Sequence, residues 1–206
     1  MYWFEWIALV ALAICLAGLT HHVIRLIRLG VRDDYSARSG SPVAGVAYSF
    51  TGGMDPRKKE SAYLNLPTYA SGVIFHIAVF AAIVLFFLLL SGVNPGHSVS
   101  LILSFVAFSG AVTGIGMLTR RFADKKLRYI SNADDHISLM LVVLFLALAG
   151  FTLFFPAVYP AFMLASALLL LYMPLGKLRH AVYFFAARIH LGRFYGWRNV
   201  WPPRKA

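Results

Sequence analysis

Long apolar segments alternate with shorter polar ones along this chain, and the apolar segments have the length of membrane-spanning helices. A spanning helix needs about 20 mainly apolar residues. Five segments reach that length, at about 3–24, 67–92, 98–118, 137–156 and 159–186. The third is rich in Gly and Ser, which favours close helix–helix packing. The pattern predicts an all-α integral membrane protein, a bundle of five transmembrane helices.

The composition agrees with this interpretation. Hydrophobic residues make up 60% of the 206 residues and charged residues only 13%, whereas soluble domains are nearer half apolar and a quarter charged. A cleaved secretory signal has a basic residue before its apolar segment, but no basic residue precedes the first apolar segment here. We therefore expect the first segment to be retained as a membrane helix.

The basic residues fix a predicted orientation. All 19 Lys and Arg lie in the loop 25–66, in the loop 119–136 or from residue 177 onward, with seven, five and seven respectively. Five spans would place these three regions on one side, and basic flanking residues stay in the cytoplasm. The sequence thus predicts the N-terminus outside and the C-terminus in the cytoplasm. The net charge of +11 requires no nucleic acid, because anionic lipid or a soluble partner also suits a basic face.

The histidines are the main candidates for cofactor chemistry. His76 lies about ten residues into the second predicted span, where an imidazole is costly without a partner. His180 approaches a similar depth near the inner end of the fifth, so two imidazoles from two helices could bind a haem iron. Lys177 and Arg179 stand beside His180 and suit the haem propionates, and Pro174 can kink the helix there. Alternatively, both cations extend to the membrane interface and His180 is an ordinary interfacial residue.

Three stretches resemble a known family: SGVIFHIAVF around His76, SNADDHISLMLVVL at the fourth span, and PLGKLRHAVYFFAARIHLGRF after residue 173. Together they are similar to the gamma subunit of respiratory nitrate reductase and related membrane subunits of heterodisulfide reductase-like and sulfate-reducer complexes. The resemblance covers roughly residues 60–200. It implies a five-helix, quinone-reactive cytochrome b in the prokaryotic inner (cytoplasmic) membrane, with His76 and His180 as the ligands of the haem nearest the cytoplasm.

The chain differs from this family in lacking the histidines that bind the second haem. The positions that correspond to its ligands are Phe86 and Phe162 or close neighbours, and phenylalanine cannot bind iron. We therefore predict one haem b rather than two. His21, His22 and His136 lie at the inner ends of spans, where they are either ordinary interfacial residues or contacts for quinone and protons. A second haem ligated by one of these three is a further alternative.

Asp134 and Asp135 precede His136 at a predicted helix start, where acidic residues stabilise the helix by capping and by the dipole. Alternatively, Asp135 and His136 accept protons from quinol. His22, His136 and Asp135 are thus the candidate quinone or proton sites. Tyr195, Trp197 and Trp201 in the tail 187–206 form either an interfacial belt or a surface for a soluble subunit.

These observations predict a single membrane cytochrome b domain over residues 1–206 with a basic, aromatic cytoplasmic tail. Its function would be electron transfer between membrane quinone and a cytoplasmic iron–sulfur subunit, with further subunits in the complex. The single cysteine, Cys15, cannot supply the thiolates of such a cluster, so the cluster must belong to a partner. The alternative is a haem-free membrane anchor for a cytoplasmic enzyme. A small transporter is disfavoured, because the outer halves of the spans hold almost no ionisable residue.

Overall fold

The structure is a computed structural model that describes residues 1–30 and 34–203. The protein is about 80% helical, and the described residues include no strand. Arg32, Arg204 and Lys205, which belong to the predicted cytoplasmic basic residues, lie outside the described part of the chain.

Nine α-helices follow one another in the described residues. They are α1 (Trp3–Arg28), α2 (Pro42–Phe50), α3 (Glu60–Tyr63), α4 (Leu66–Leu90), α5 (His97–Ala123), α6 (Lys125–Ile130), α7 (Ala133–Thr152), α8 (Tyr159–Tyr172) and α9 (His180–Trp197). Short 3-10 turns lie at Gly52–Met54, Pro56–Lys58, Pro156–Val158 and Lys177–Arg179.

Four of the predicted spans are confirmed as single helices that are long and apolar enough to cross a membrane, namely α1, α4, α5 and α7. The fifth predicted span, 159–186, is not continuous. It is divided into α8 and α9, and the protein has five such spans only if this broken pair counts as one. The predicted fifth span is therefore confirmed only in part, as two helices separated by a break, and the kink expected at Pro174 falls inside that break.

The break has a local physical cause. Pro174 carries no backbone N–H and so cannot continue the hydrogen-bond ladder of α8. The N–H groups of Leu175 and Gly176 both turn back to the carbonyl of Tyr172, at 3.0 Å each. Gly176 is packed so tightly that an added Cβ would lie 2.7 Å from the Oδ1 of Asp134. Only glycine fits at this position without a shift of its neighbours.

The chain divides into two compact units, of which the first comprises Met1–Gly18 and Pro67–Leu178. Its core consists largely of small side chains, which let the helices approach closely. Ala78 and Ala82 of α4 are buried, and Ala78 packs against α5, where an added Cβ on Gly110 would collide with the Cβ of Ala78. The Gly- and Ser-rich third segment thus packs closely in the bundle, as its composition predicted.

The second unit comprises the described residues of Leu19–Leu66 and Arg179–Ala206. In it α2 packs on α9 with backbone against backbone. An added Cβ on Gly196 would lie 2.6 Å from the carbonyl oxygen of Ser41 and 2.9 Å from the Cα of Gly45, and one on Gly192 would lie 2.5 Å from the Cα of Val46. Gly192 and Gly196 form a GxxxG motif, which permits such close approach.

The aromatic residues of the tail pack within this unit. The carbonyl of Trp197 accepts hydrogen bonds from the N–H groups of Ser39 and Gly40, and its indole N–H donates to the carbonyl of Ser36 at 2.9 Å. Trp201 stacks near Tyr195, with ring centroids 4.7 Å apart. These contacts hold the 34–50 segment against the end of α9.

We expect Gly196→Ala to destabilise the second unit by about 2 kcal/mol or more, because the new methyl group would meet backbone atoms that cannot rotate away. The measurement is the thermal unfolding midpoint of the detergent-solubilised protein, together with the rate of protease cleavage within residues 34–50. The matched control is Gly116→Ala in α5, where an added Cβ has nothing within 4 Å. Equal behaviour of the two variants would contradict the backbone contact.

The same unit should lose stability in acid. Two hydrogen bonds from the guanidinium of Arg198, with a further contribution from Ser36, lower the pKa of Asp34 from 3.8 to about 2. Because the folded pKa is depressed, this stabilisation is complete above about pH 4 and is lost as the pH falls through about 2. Unfolding midpoints measured between pH 5 and pH 2 should therefore fall less in Asp34→Asn and Arg198→Gln than in the wild type. A parallel fall in all three proteins would show that the pair contributes nothing.

Candidate functional site

The richest polar cluster of the first unit lies at the start of α7. Asn132 caps this helix by a reciprocal arrangement in which its side chain accepts from the N–H of Asp135 at 3.1 Å, while the carboxylate of Asp135 accepts from the N–H of Asn132 at 3.0 Å. Such a capping box satisfies two donors of the first helical turn. The SNADD sequence thus folds as the capping prediction requires.

Asp135 also forms ion pairs with two cations from other parts of the chain. The Nζ of Lys177 lies 2.7 Å from Oδ1 of Asp135, and the Nη1 of Arg121 lies 3.5 Å from the same oxygen. The carboxylate is well buried, with 11% of the side chain exposed, whereas half of the Lys177 side chain is exposed. The lysine predicted to contact haem propionates therefore already bonds a carboxylate of the protein.

Asp134, the neighbour of Asp135, bonds residues on both sides of the break between α8 and α9. Its carboxylate accepts hydrogen bonds from the hydroxyl groups of Tyr172 and Ser138 and from the backbone N–H of Lys177. Asp134 and Asp135 together hold the main chain and the side chain of Lys177, and we call this arrangement the aspartate clamp. It joins the end of α8 and the turn after it to the start of α7.

His136 contributes an imidazole next to the aspartate clamp. Its ring stacks on Phe122, with centroids 4.6 Å apart, and its Nδ1 is buried with no hydrogen-bond partner in the described part of the chain. Asp135 bonds Lys177 and Arg121 at this point. The proton-accepting role of Asp135 and His136 stays a prediction.

His76 lies ten residues after the first residue of α4, or about 15 Å along the helix axis at 1.5 Å per residue. Its side chain is exposed, and its Nδ1 lies 2.7 Å from the carbonyl oxygen of Gly72, one turn earlier. A carbonyl only accepts, so Nδ1 must carry the proton. In the neutral ring Nε2 then keeps a lone pair, which is the arrangement found in histidines that ligate metals.

The remaining predicted residues lie in the second unit. His180 is the first residue of α9, Arg179 directly precedes it, and both are exposed. His22 is half-buried near the end of α1, where its Nδ1 lies 3.3 Å from the hydroxyl of Tyr183. The ring of His21 lies 6.1 Å from that of His22. His76 and His180 belong to different units, and their pairing on one iron stays a prediction.

Phe86 and Phe162, which occupy the expected positions of outer haem ligands, are core residues. Phe86 is 4% exposed and Phe162 is fully buried. The ring of Phe162 stacks on Phe145 at a centroid distance of 5.4 Å. Both positions therefore contribute to the packing of α4, α7 and α8. Within residues 1–30 and 34–203, no group of three His, Cys, Asp or Glu side chains is arranged to hold a metal ion.

Several residues of this cluster were not foreseen. Tyr172 and Arg121 are brought to the aspartates only by the packing of α8 and α5 on α7. Ser138 lies four residues after Asp134, an i, i+4 spacing that places both on one helix face, so this contact had a signal in the sequence. At the other end of the unit, buried Glu5 accepts a hydrogen bond from the hydroxyl of Tyr159 at 2.5 Å. That contact also depends on tertiary packing.

Comparison with known proteins gave no relatives: no family model, no curated protein and no solved structure matches this chain.

The aspartate clamp makes a specific prediction for stability. Lys177→Met should destabilise the protein by about 0.5–1 kcal/mol, the range of partly exposed ion pairs. Asp134→Ala should cost about 1–3 kcal/mol, because it leaves a backbone N–H and a tyrosine hydroxyl without their acceptor. Unfolding in detergent is the measurement, and Lys126→Met, at an exposed position in α6, is the control. A Lys177→Met, Asp135→Asn double mutant that shows purely additive losses would refute the ion pair.

Proposed function

We propose that this protein is a multi-pass membrane cytochrome b that transfers electrons between the membrane quinone pool and a cytoplasmic iron–sulfur subunit. The observation that carries the proposal is the state of His76. It is an exposed imidazole well inside a long apolar helix, its Nδ1–H is held by the Gly72 carbonyl, and its Nε2 keeps a lone pair. An imidazole at such a depth is costly and is typical of a functional position.

One haem b is the cofactor that fits this residue best. His76 and His180 would hold its iron through their imidazoles, in agreement with the family resemblance. The bond from His76 to Gly72 would fix the ring orientation and raise the basicity of the ligand. The haem, when bound, supplies one-electron redox chemistry, whose potential the protein tunes through its ligands, burial and nearby charges.

The cations near His180 have two different roles in this proposal. Arg179 is exposed and would contact a propionate directly. Lys177 already pairs with Asp135. Its ammonium group would therefore be held in place near a propionate, but its attraction for that propionate would be weakened by the aspartate. The Phe86 and Phe162 positions, filled by core phenyl rings, support one haem rather than two.

Quinone would bind near the polar inner ends of the helices, with His22, His136 and Asp135 as candidate contacts. The unsatisfied Nδ1 of His136 supports a role in binding a polar group. The distribution of basic residues supports an N-terminus outside and a C-terminus in the cytoplasm, and the family resemblance implies a prokaryotic inner membrane. There an iron–sulfur subunit and further subunits of the complex would assemble with it.

A haem-free anchor for a cytoplasmic enzyme is the second candidate, and the aspartate clamp favours it. Lys177 bonds two aspartates, which gives the basic cluster before His180 a structural purpose that requires no cofactor. In this alternative His76 serves only to bond its own helix. The two candidates differ in whether the purified protein contains haem.

The test is a pyridine-haemochrome assay on the purified full chain. We expect about one haem per chain in the wild type, and loss of nearly all of it in His76→Ala and in His180→Ala. His97→Ala, at the first residue of α5, is the control and should keep its haem. A folded, colourless wild-type protein would favour the anchor, and haem that survived both ligand substitutions would refute the ligand assignment.

A further inference from the structure

The last two turns of α1 form a small cationic groove that the proposed electron transfer does not use. It is lined by His21, Ile24, Arg25, Arg28 and Leu29. His21, Arg25 and Arg28 follow the i, i+4, i+7 spacing of one helix face. Among the described residues the lining of the groove comes from α1 and from Leu29, which directly follows it.

The two arginines are available to an external anion. Both are exposed, and among the described residues none of the ion pairs includes either of them. By contrast, Lys177, Arg57 and Arg198 each bond a carboxylate. Guanidinium groups bind phosphate oxygens in pairs of hydrogen bonds, so two adjacent arginines suit a phosphate group.

Apolar side chains flank these cations. Ile24 and Leu29, which line the groove, are 43% and 74% exposed, which is unfavourable in water but suitable against lipid. A ligand that matches both features carries an anion joined to hydrocarbon. Inorganic phosphate matches only the first feature, whereas an anionic phospholipid matches both.

The length of α1 places the groove at the required depth. The helix begins at Trp3, and Trp3 and Trp6 are 64% and 57% exposed, as expected of an aromatic belt at one membrane interface. At 1.5 Å per residue, Arg25 lies about 33 Å and Arg28 about 38 Å beyond Trp3. Since the hydrocarbon core is about 30 Å thick, both guanidinium groups reach the headgroup layer of the opposite leaflet.

We propose that Arg25 and Arg28, with His21, bind the phosphate of an anionic phospholipid, one of whose acyl chains packs against Ile24 and runs from there toward the hydrocarbon core. This site is independent of the proposed haem. Each basic residue near an anionic membrane contributes about fivefold to binding. We therefore expect the two arginines to give roughly 30-fold preference for an anionic over a zwitterionic lipid, which is lost when both are neutralised.

The experiment uses the full chain in detergent, titrated with phosphatidylglycerol or phosphatidylcholine, with bound lipid counted by native mass spectrometry. The wild type should retain one phosphatidylglycerol in preference to phosphatidylcholine. Arg25→Gln, Arg28→Gln together should lose that preference. The charge-preserving pair Arg25→Lys, Arg28→Lys should keep most of it. The matched control is Lys125→Gln, Lys126→Gln, which removes the same charge from exposed positions in α6 and should behave as the wild type.

Three results would overturn the proposal. Equal losses in the α6 control would show a general attraction of the basic face rather than a site on α1. No preference for phosphatidylglycerol in the wild type would show that the groove binds no anionic lipid. Displacement of the bound lipid by millimolar inorganic phosphate would assign the groove to a free anion. Helix content of every variant, measured by circular dichroism, separates these results from misfolding.

Discussion

The structure depends on one constraint, which is that every backbone polar group in an apolar environment must have a hydrogen-bond partner. The chain breaks its last long apolar segment at Pro174, and Asp134 and Asp135 hold the residues around the break. Their carboxylates accept the N–H of Lys177, its ammonium group and the hydroxyl of Tyr172. Lys177 and Asp135 thus neutralise each other at the start of α7, where either charge without its partner would be costly.

The break also changes the structure of the chain after Pro174. A continuous fifth helix would carry His180 on the same cylinder as Phe162, whereas the break makes His180 the first residue of a separate helix. That helix then packs on α2 through glycines and holds the polar 34–50 segment through Trp197. The aromatic tail is therefore used in part for internal packing, which reduces the area that it offers to lipid or to a partner subunit.

The charges of the protein fall into two classes with different physical roles. Lys177, Arg121 and Arg198 bond carboxylates of the chain and organise its turns. Arg25 and Arg28 pair with no carboxylate of the described residues and suit the surface of the membrane. The histidines also differ in what they contact. His22 and His136 contact aromatic side chains, whereas His76 bonds its own helix through Nδ1, which leaves the Nε2 lone pair that the proposed haem ligation would use.

The sequence by itself determined the all-helical fold, four helices long and apolar enough to cross a membrane, and the capped start of α7, because hydropathy and capping act over a few neighbouring residues. It also predicted that Pro174 would disturb the last segment. Only the tertiary structure showed that Lys177 and Arg121 pair with Asp135 and that Tyr172 bonds Asp134. It also showed that α2 packs on α9. These contacts join residues far apart in the chain, such as Asp135 and Lys177, and depend on how the helices pack, which no local pattern encodes.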